Sequence, residues 1–259
     1  MATPNRRKAV LFGLNYASHP TAKLSGCIND VQMMGSLLRE KMNIAVDVYT
    51  DDKSAHDCSA LGIITKLYEL AVQSWRDSLQ YVYIHYSGHG SYVRDVNGDE
   101  KDKQDECLVP SDFQTAGFIT DDYINALFSY FNPSTRIVCV FDCCHSGTIG
   151  DVKYSWTAPA SVIVENINCK AKAKIITLSG CMDDQTSADA YNILKDGKFC
   201  GALTACLLLA IKEKPTIISD VFLLQIAVRQ KLKDLQFPQL PKLCSTYNLT
   251  KDRMFMQSK

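Results

Sequence analysis

Two polar turns, each at the end of an apolar run, carry the side chains of this chain best suited to covalent chemistry. They are Ser87-Gly88-His89-Gly90 and Asp142-Cys143-Cys144-His145-Ser146-Gly147. Cysteine attacks acyl carbons as the thiolate, and a nearby imidazole both lowers the thiol pKa and protonates a departing amine. A Cys/His pair is therefore enough for peptide cleavage. Gly88, Gly90 and Gly147 permit turns that bring main-chain N–H groups close to a reacting carbon, and the amides of Gly90 and Cys144 are the candidate oxyanion donors. Loss of one such donor commonly costs about 3 kcal/mol. The plainer reading makes His89 a turn histidine and Cys144 a buried thiol, the usual fate of either residue alone. Their occurrence together, each in a glycine-flanked turn after an apolar strand, is what favours chemistry.

For the two turns to meet, the runs before them must lie side by side. Lys8–Asn15, Ile44–Tyr49, Gln80–Tyr86, Arg136–Phe141 and Lys174–Ser179 are short apolar runs bounded by turn-forming residues and read as buried strands. Between them, apolar residues at three- and four-residue spacing predict helices. One starts at Asn29 or Asp30 as cap and runs to about Lys41; a second covers Ser59 to about Trp75, and a third runs from Thr120 or Asp121 to about Phe131. Residues 151–170 read as less regular, and two more helices are expected near Gly201–Ile211 and Ser219–Leu232. Alternating strands and helices imply an α/β fold with a mostly parallel sheet, whose reactive groups gather outside the carboxyl ends of the strands. With no Pro- or Gly-rich linker, a single domain spanning 1–259 is expected.

The 259 residues suffice for a full core, and 46% apolar with 22% charged residues is ordinary for a folded domain. Lys plus Arg and Asp plus Glu both total 28, so no net field draws the chain to nucleic acid. Gly201–Ile211 is too short to span a bilayer, and Met1–Lys8 lacks the apolar centre of a signal peptide, so a cytoplasmic protein without a membrane partner is expected. Most of the eleven cysteines fall in apolar runs, as Cys139 and Cys206 do, and read as reduced thiols. Without a C-x-x-C pair there is no seed for a structural zinc site.

Tyr86-Ser-Gly-His-Gly90, Gly98-Asp-Glu100 and Asp142-Cys-Cys-His-Ser-Gly147 resemble the paired catalytic motifs of metacaspases. Gly26-Cys-Ile-Asn-Asp30 and Ser179-Gly-Cys-Met-Asp-Asp-Gln-Thr-Ser-Ala188 extend the likeness over most of the chain, in the arrangement of the type I form. The resemblance implies a caspase-like three-layer sandwich with a mostly parallel central sheet flanked by helices. It implies a large-subunit-like region at about 6–152, a connecting segment at 153–173 and a small-subunit-like region at 174–259. Cys144 takes the place of the nucleophile and His89 that of its general base and acid. Cys143 and His145 are then neighbours, since consecutive side chains tend to point different ways. Members of the family often carry an N-terminal pro-region, and here the first strand is expected by about residue 8. A silent binding or scaffold protein of the same fold is the alternative.

The family's acidic pocket falls on Asp30 and Asp142, with Cys27 and Ser87 beside them, and implies peptide or protein substrates with Lys or Arg at P1. A cationic side chain there makes charge-assisted hydrogen bonds, whereas an aspartate meets like charge. On their own, Asp30 reads as a helix cap and Asp142 as a turn residue. The resemblance also implies a Ca2+ site at Asp105, Asp121, Asp122 and Asp151, which could couple calcium to the loop that bears Cys144; read alone, Asp121 and Asp122 suit a helix start. The run Arg94–Glu106 imitates an EF-hand only in part, because Glu100 stands where the turn glycine is needed. Lys153, Lys170, Lys172 and Lys174 are candidate self-cleavage positions, and a monomer is expected.

Overall fold

The computed structural model describes residues 5–94, 104–144, 147, 149–159, 161–180, 189–191, 193–194, 197–250 and 252–255. One sheet of eight strands runs through it. Five of its strands, β1 (Arg7–Gly13), β2 (Ala45–Thr50), β3 (Tyr81–Ser87), β7 (Arg136–Asp142) and β10 (Lys174–Ser179), lie parallel in the order β2-β1-β3-β7-β10, with β2 at the edge. The sheet continues antiparallel through β13 (Lys242–Ser245), β8 (Tyr154–Ala158) and β9 (Ser161–Val164). The parallel half matches the apolar runs of the sequence, because a strand covered on both faces needs no polar alternation.

Side-chain alternation along these strands feeds two cores. Ala9, Leu11, Tyr81, Tyr83, Val138 and Val140 face α1 (Cys27–Met42), α5 (Ala202–Glu213) and α6 (Val221–Asp234). Val10, Phe12, Val82, Ile84, Ile137 and Phe141 point the other way, toward α2 (Ala60–Arg76) and α4 (Asp121–Ser129). A one-residue register slip would exchange the two sets, and the differing helices on either side make that costly. α2 starts where expected, with Ser59 as its cap: Ser59 Oγ accepts from the Gly62 N–H at 3.0 Å.

Three features depart from the expectations. Helix α1 begins earlier, with Gly26 at its cap position, so neither Asn29 nor Asp30 caps it. Asn29 instead donates to the Phe199 carbonyl at 3.0 Å, and Asp30 turns into the protein. Residues 151–170 contain the β8–β9 hairpin, and β13 was not expected at all; both are short, and β9 is exposed along its whole length, so no apolar periodicity marks it. The residues after His89 form a second small sheet of β4 (Gly90–Arg94), β5 (Gln104–Leu108) and the two-residue β6 (Ile119–Thr120). The candidate EF-hand run is thus flanked by strands, and its residues 95–103 lie outside the described residues. A four-residue helix, α3 (Phe113–Ala116), and a hairpin of β11 (Asp189–Tyr191) and β12 (Phe199–Gly201) complete the elements used below.

Candidate active site

Strands β3 and β7 are neighbours in register, with Ser87 opposite Asp142, so the two polar turns leave the sheet together. The Gly88 N–H donates to the Asp142 carbonyl at 3.3 Å, which carries the pairing one step beyond the strands. At Gly90 the turns press against each other: a Cβ there would stand 1.9 Å from the Cys144 carbonyl oxygen and 3.3 Å from Cys143 Sγ. Backbone meets backbone at that point, so only glycine fits. Cys144 is buried and His89 half-buried on facing turns; His145, Ser146 and Thr148 lie outside the described residues.

The imidazole of His89 is held from several sides. Its Nε2 lies 2.7 Å from the Ala22 carbonyl. A carbonyl only accepts, so Nε2 carries the proton and Nδ1 is the ring nitrogen left to act as a base. Tyr16 packs its ring 4.8 Å from the imidazole, accepts from the His89 N–H at 2.9 Å and donates to the Val109 carbonyl at 2.6 Å. The Tyr86 hydroxyl lies 2.9 Å from the His89 carbonyl and 2.8 Å from that of Val109. Burial pushes both phenols well above their ordinary pKa, so both stay protonated. Tyr16 sits in the left-handed region at φ 51°, fixed by its N–H bonding Asp51 Oδ2 at 2.6 Å. It anchors the loop that carries Ala22: His19 N–H bonds the Tyr16 carbonyl, and Ala22 N–H bonds that of His19, both at 2.9 Å. Neither Tyr16 nor Ala22 was found from the sequence, since a backbone acceptor leaves no residue-type signal and one tyrosine after an apolar run reads as core.

Beside this pair lies a buried acidic cluster. Asp30, one turn into α1, and Asp142, the last residue of β7, are both buried. Ser87 Oγ donates to Asp30 Oδ2 at 2.6 Å, the Gly201 N–H reaches both Asp30 oxygens at 2.9 and 3.0 Å, and the Thr204 N–H reaches Asp142 Oδ2 at 2.8 Å. Cys27 opens α1 and is buried nearby, its backbone carbonyl packed against Gly13. The structure therefore gathers Asp30, Ser87 and Asp142, and adds Gly201 and Thr204 from the second half of the chain.

Of the four aspartates expected to hold calcium, Asp121 and Asp122 open α4, Asp105 lies on β5 and Asp151 follows the cysteine turn. Asp121 Oδ2 accepts from the Glu106 N–H at 3.1 Å and its Oδ1 from the Asp122 N–H at 2.9 Å. Burial pushes the Cys107 thiol up to about 12, with further upward pressure from Asp121 and Asp105, so these two carboxylates share its surroundings. Asp122 is exposed. Asp151 takes φ 45°; its carbonyl accepts from Asn125 Nδ2 at 2.6 Å, and its carboxylate accepts from Asn166 Nδ2. Oxygen donors of this kind suit a hard cation. Among the described residues, no three such groups converge as a metal-holding cluster.

A family model described as metacaspase, peptidase C14 domain, matches residues 7–153. Metacaspase-3 of Trypanosoma brucei brucei is 30% identical over 266 residues, spanning 96% of this chain and 73% of that protein. Metacaspase-1B of Aspergillus oryzae is 28% identical over 312 residues, spanning 98% of this chain and 71% of that protein. The crystal structure of caspase-1 from Spodoptera frugiperda superposes with a TM-score of 0.61 at 14% identity, over 98% of this chain and 91% of that one. This last likeness is one of fold, and with it the expected caspase-like three-layer sandwich is the architecture observed.

Proposed function

Because the chain belongs to the metacaspase family of cysteine peptidases, we propose that it is a calcium-dependent endopeptidase cleaving after Lys or Arg, with Cys144 as nucleophile and His89 as general base and acid. The observation that carries this reading is the contact of the Gly90 Cα with the Cys144 carbonyl, which brings the histidine and cysteine turns together. His89 Nδ1 takes the Cys144 proton, the thiolate adds to the scissile carbonyl, and the imidazolium returns the proton to the departing amine. Main-chain amides at Gly90 and Cys144 are the donors for the oxyanion. The Ala22 carbonyl keeps the ring oriented.

Asp30 and Asp142 give this site its preference for a basic side chain, and Ser87 fixes the first of them. Support for the calcium site is the all-oxygen character of Asp105, Asp121, Asp122 and Asp151. A bound Ca2+ would supply positive charge among these carboxylates.

The experiment is a scan of fluorogenic peptides varied at P1, on wild type, Cys144→Ala and Asp142→Ala. Turnover of Arg and Lys peptides by wild type, with none detectable for Cys144→Ala, is expected. Asp142→Ala should lose cleavage of both basic peptides, and an unchanged rate for that variant removes the pocket assignment.

A further inference from the structure

The two pocket carboxylates come from different elements and meet at one glycine. Gly201 is both the last residue of β12 and the cap of α5, at φ −67° and ψ 140°. Any residue adopts that conformation, so backbone freedom is not what calls for glycine. Space is: a Cβ would stand 2.3 Å from Asp142 Oδ2 and 2.7 Å from Asp30 Oδ2. Both obstacles are ends of side chains. At Gly62, by contrast, the added atom would strike the His56 carbonyl at 2.1 Å, and at Gly90 that of Cys144. An alanine at 201 is thus accommodated by swinging the carboxylates aside, with the chain path intact.

The amino end of α5 also sets the charges. Its first amides have no partner within the helix, and here Gly201 N–H serves Asp30 while Thr204 N–H serves Asp142. Beneath them lies a second layer: Thr204 Oγ1 is 3.3 Å from His85 Nε2, and His85 Nδ1 is 3.2 Å from the Tyr83 hydroxyl. Tyr83, His85 and Thr204 are all fully buried, so this chain of contacts fixes where the Thr204 amide points.

We propose, resting on the acidic-pocket reading, that Gly201 is a specificity-determining residue whose bare Cα lets Asp30 and Asp142 converge on the amino end of α5, and that Thr204 and His85 are positioning residues for Asp142. Main-chain amides then hold both carboxylates ready for a guanidinium or ammonium group. A neutral side chain in the same place would leave them desolvated without a cation.

The test compares wild type, Gly201→Ala and Thr204→Val on peptides with Arg, Lys or Gln at P1. It is read alongside the rate of Cys144 alkylation by iodoacetamide and the thermal unfolding curve. Gly201→Ala is expected to lower kcat/KM for Arg and Lys peptides by about tenfold to a hundredfold, chiefly through KM, as loss of a charge-assisted contact does. Its alkylation rate and unfolding temperature should stay near wild type. Thr204→Val should raise KM by about threefold to tenfold, the size of one neutral hydrogen bond. A wild-type KM in Gly201→Ala overturns the proposal, as does a parallel fall in alkylation and stability, which marks a purely structural role. If Gly201→Ala fails to fold, Thr204→Val decides, and an unchanged KM there is fatal. A wild type that ignores charge at P1 removes the acidic pocket and this proposal with it, whereas a basic preference unmoved by either substitution removes only the proposal.

Discussion

Among the buried side chains, His85 has the most direct consequence for stability. Burial alone pulls its pKa down from 6.5 to about 3, so the ring is neutral in the folded protein at all ordinary pH. As pH falls below 6.5 the unfolded chain gains a proton on this ring that the folded one refuses until about 3. The stability it supports is therefore complete above 6.5 and lost progressively toward acid, at up to about 1.4 kcal/mol per pH unit. Urea denaturation between pH 7 and 4 should show a shallower acid decline for His85→Gln than for wild type; identical slopes would mean another group governs it. Thiols divide in the same manner. Burial pushes Cys58, Cys206 and Cys244 up to about 12, and they should resist alkylation at neutral pH in the native state while reacting once unfolded. Mass mapping of labelled peptides checks this. At this scale the sequence offers candidates where chemistry has a residue type, and the structure sets the turns of His89 and Cys144 against each other and brings Asp142 beside Gly201. It was silent where a main-chain atom does the holding, as with the Ala22 carbonyl and the Gly201 and Thr204 amides.

Between elements, the tightest junction is Gly90 against Cys144. The added atom of Gly90→Ala would overlap a carbonyl of the turn bearing the sulfur, and neither turn can yield without leaving the end of its strand. This variant should lose activity by a hundredfold or more, on the order of 3 kcal/mol in the barrier. It should slow Cys144 alkylation as well, which separates it from a pocket defect; normal alkylation would show that the junction is looser than its distances. The parallel strands and the long helices were legible because each repeats its apolar spacing over several turns or residues. Short edge pieces such as β8, β9 and β13 were not, for their pairing is set by partners distant in the chain. Asp30 shows the same limit: an acidic residue near a helix start is usually a cap, and only tertiary contact with Gly201 turns it inward.

At the level of the whole molecule, the proposed cation would join the β5–α4 layer to the segment after Cys144. Peptide cleavage assayed after chelation and again after calcium is restored should recover most of its rate only in the second case, and equal rates remove calcium from the account. Intact mass after calcium incubation should show cleavage in wild type and none in Cys144→Ala. Lys170 and Lys172 are the favoured positions, since both are exposed in the irregular stretch between β9 and β10. No helix among the described residues is long and apolar enough to cross a membrane.

The order of strands also bears on how the chain is completed during synthesis. The β8–β9 hairpin emerges soon after the nucleophile, yet it reaches the sheet only through β13, which sits between it and β10. Until Lys242–Ser245 has left the ribosome, the hairpin has nothing to dock on and β10 is left as a bare margin. Cutting the polypeptide short before Lys242 would consequently cost three strands, not one.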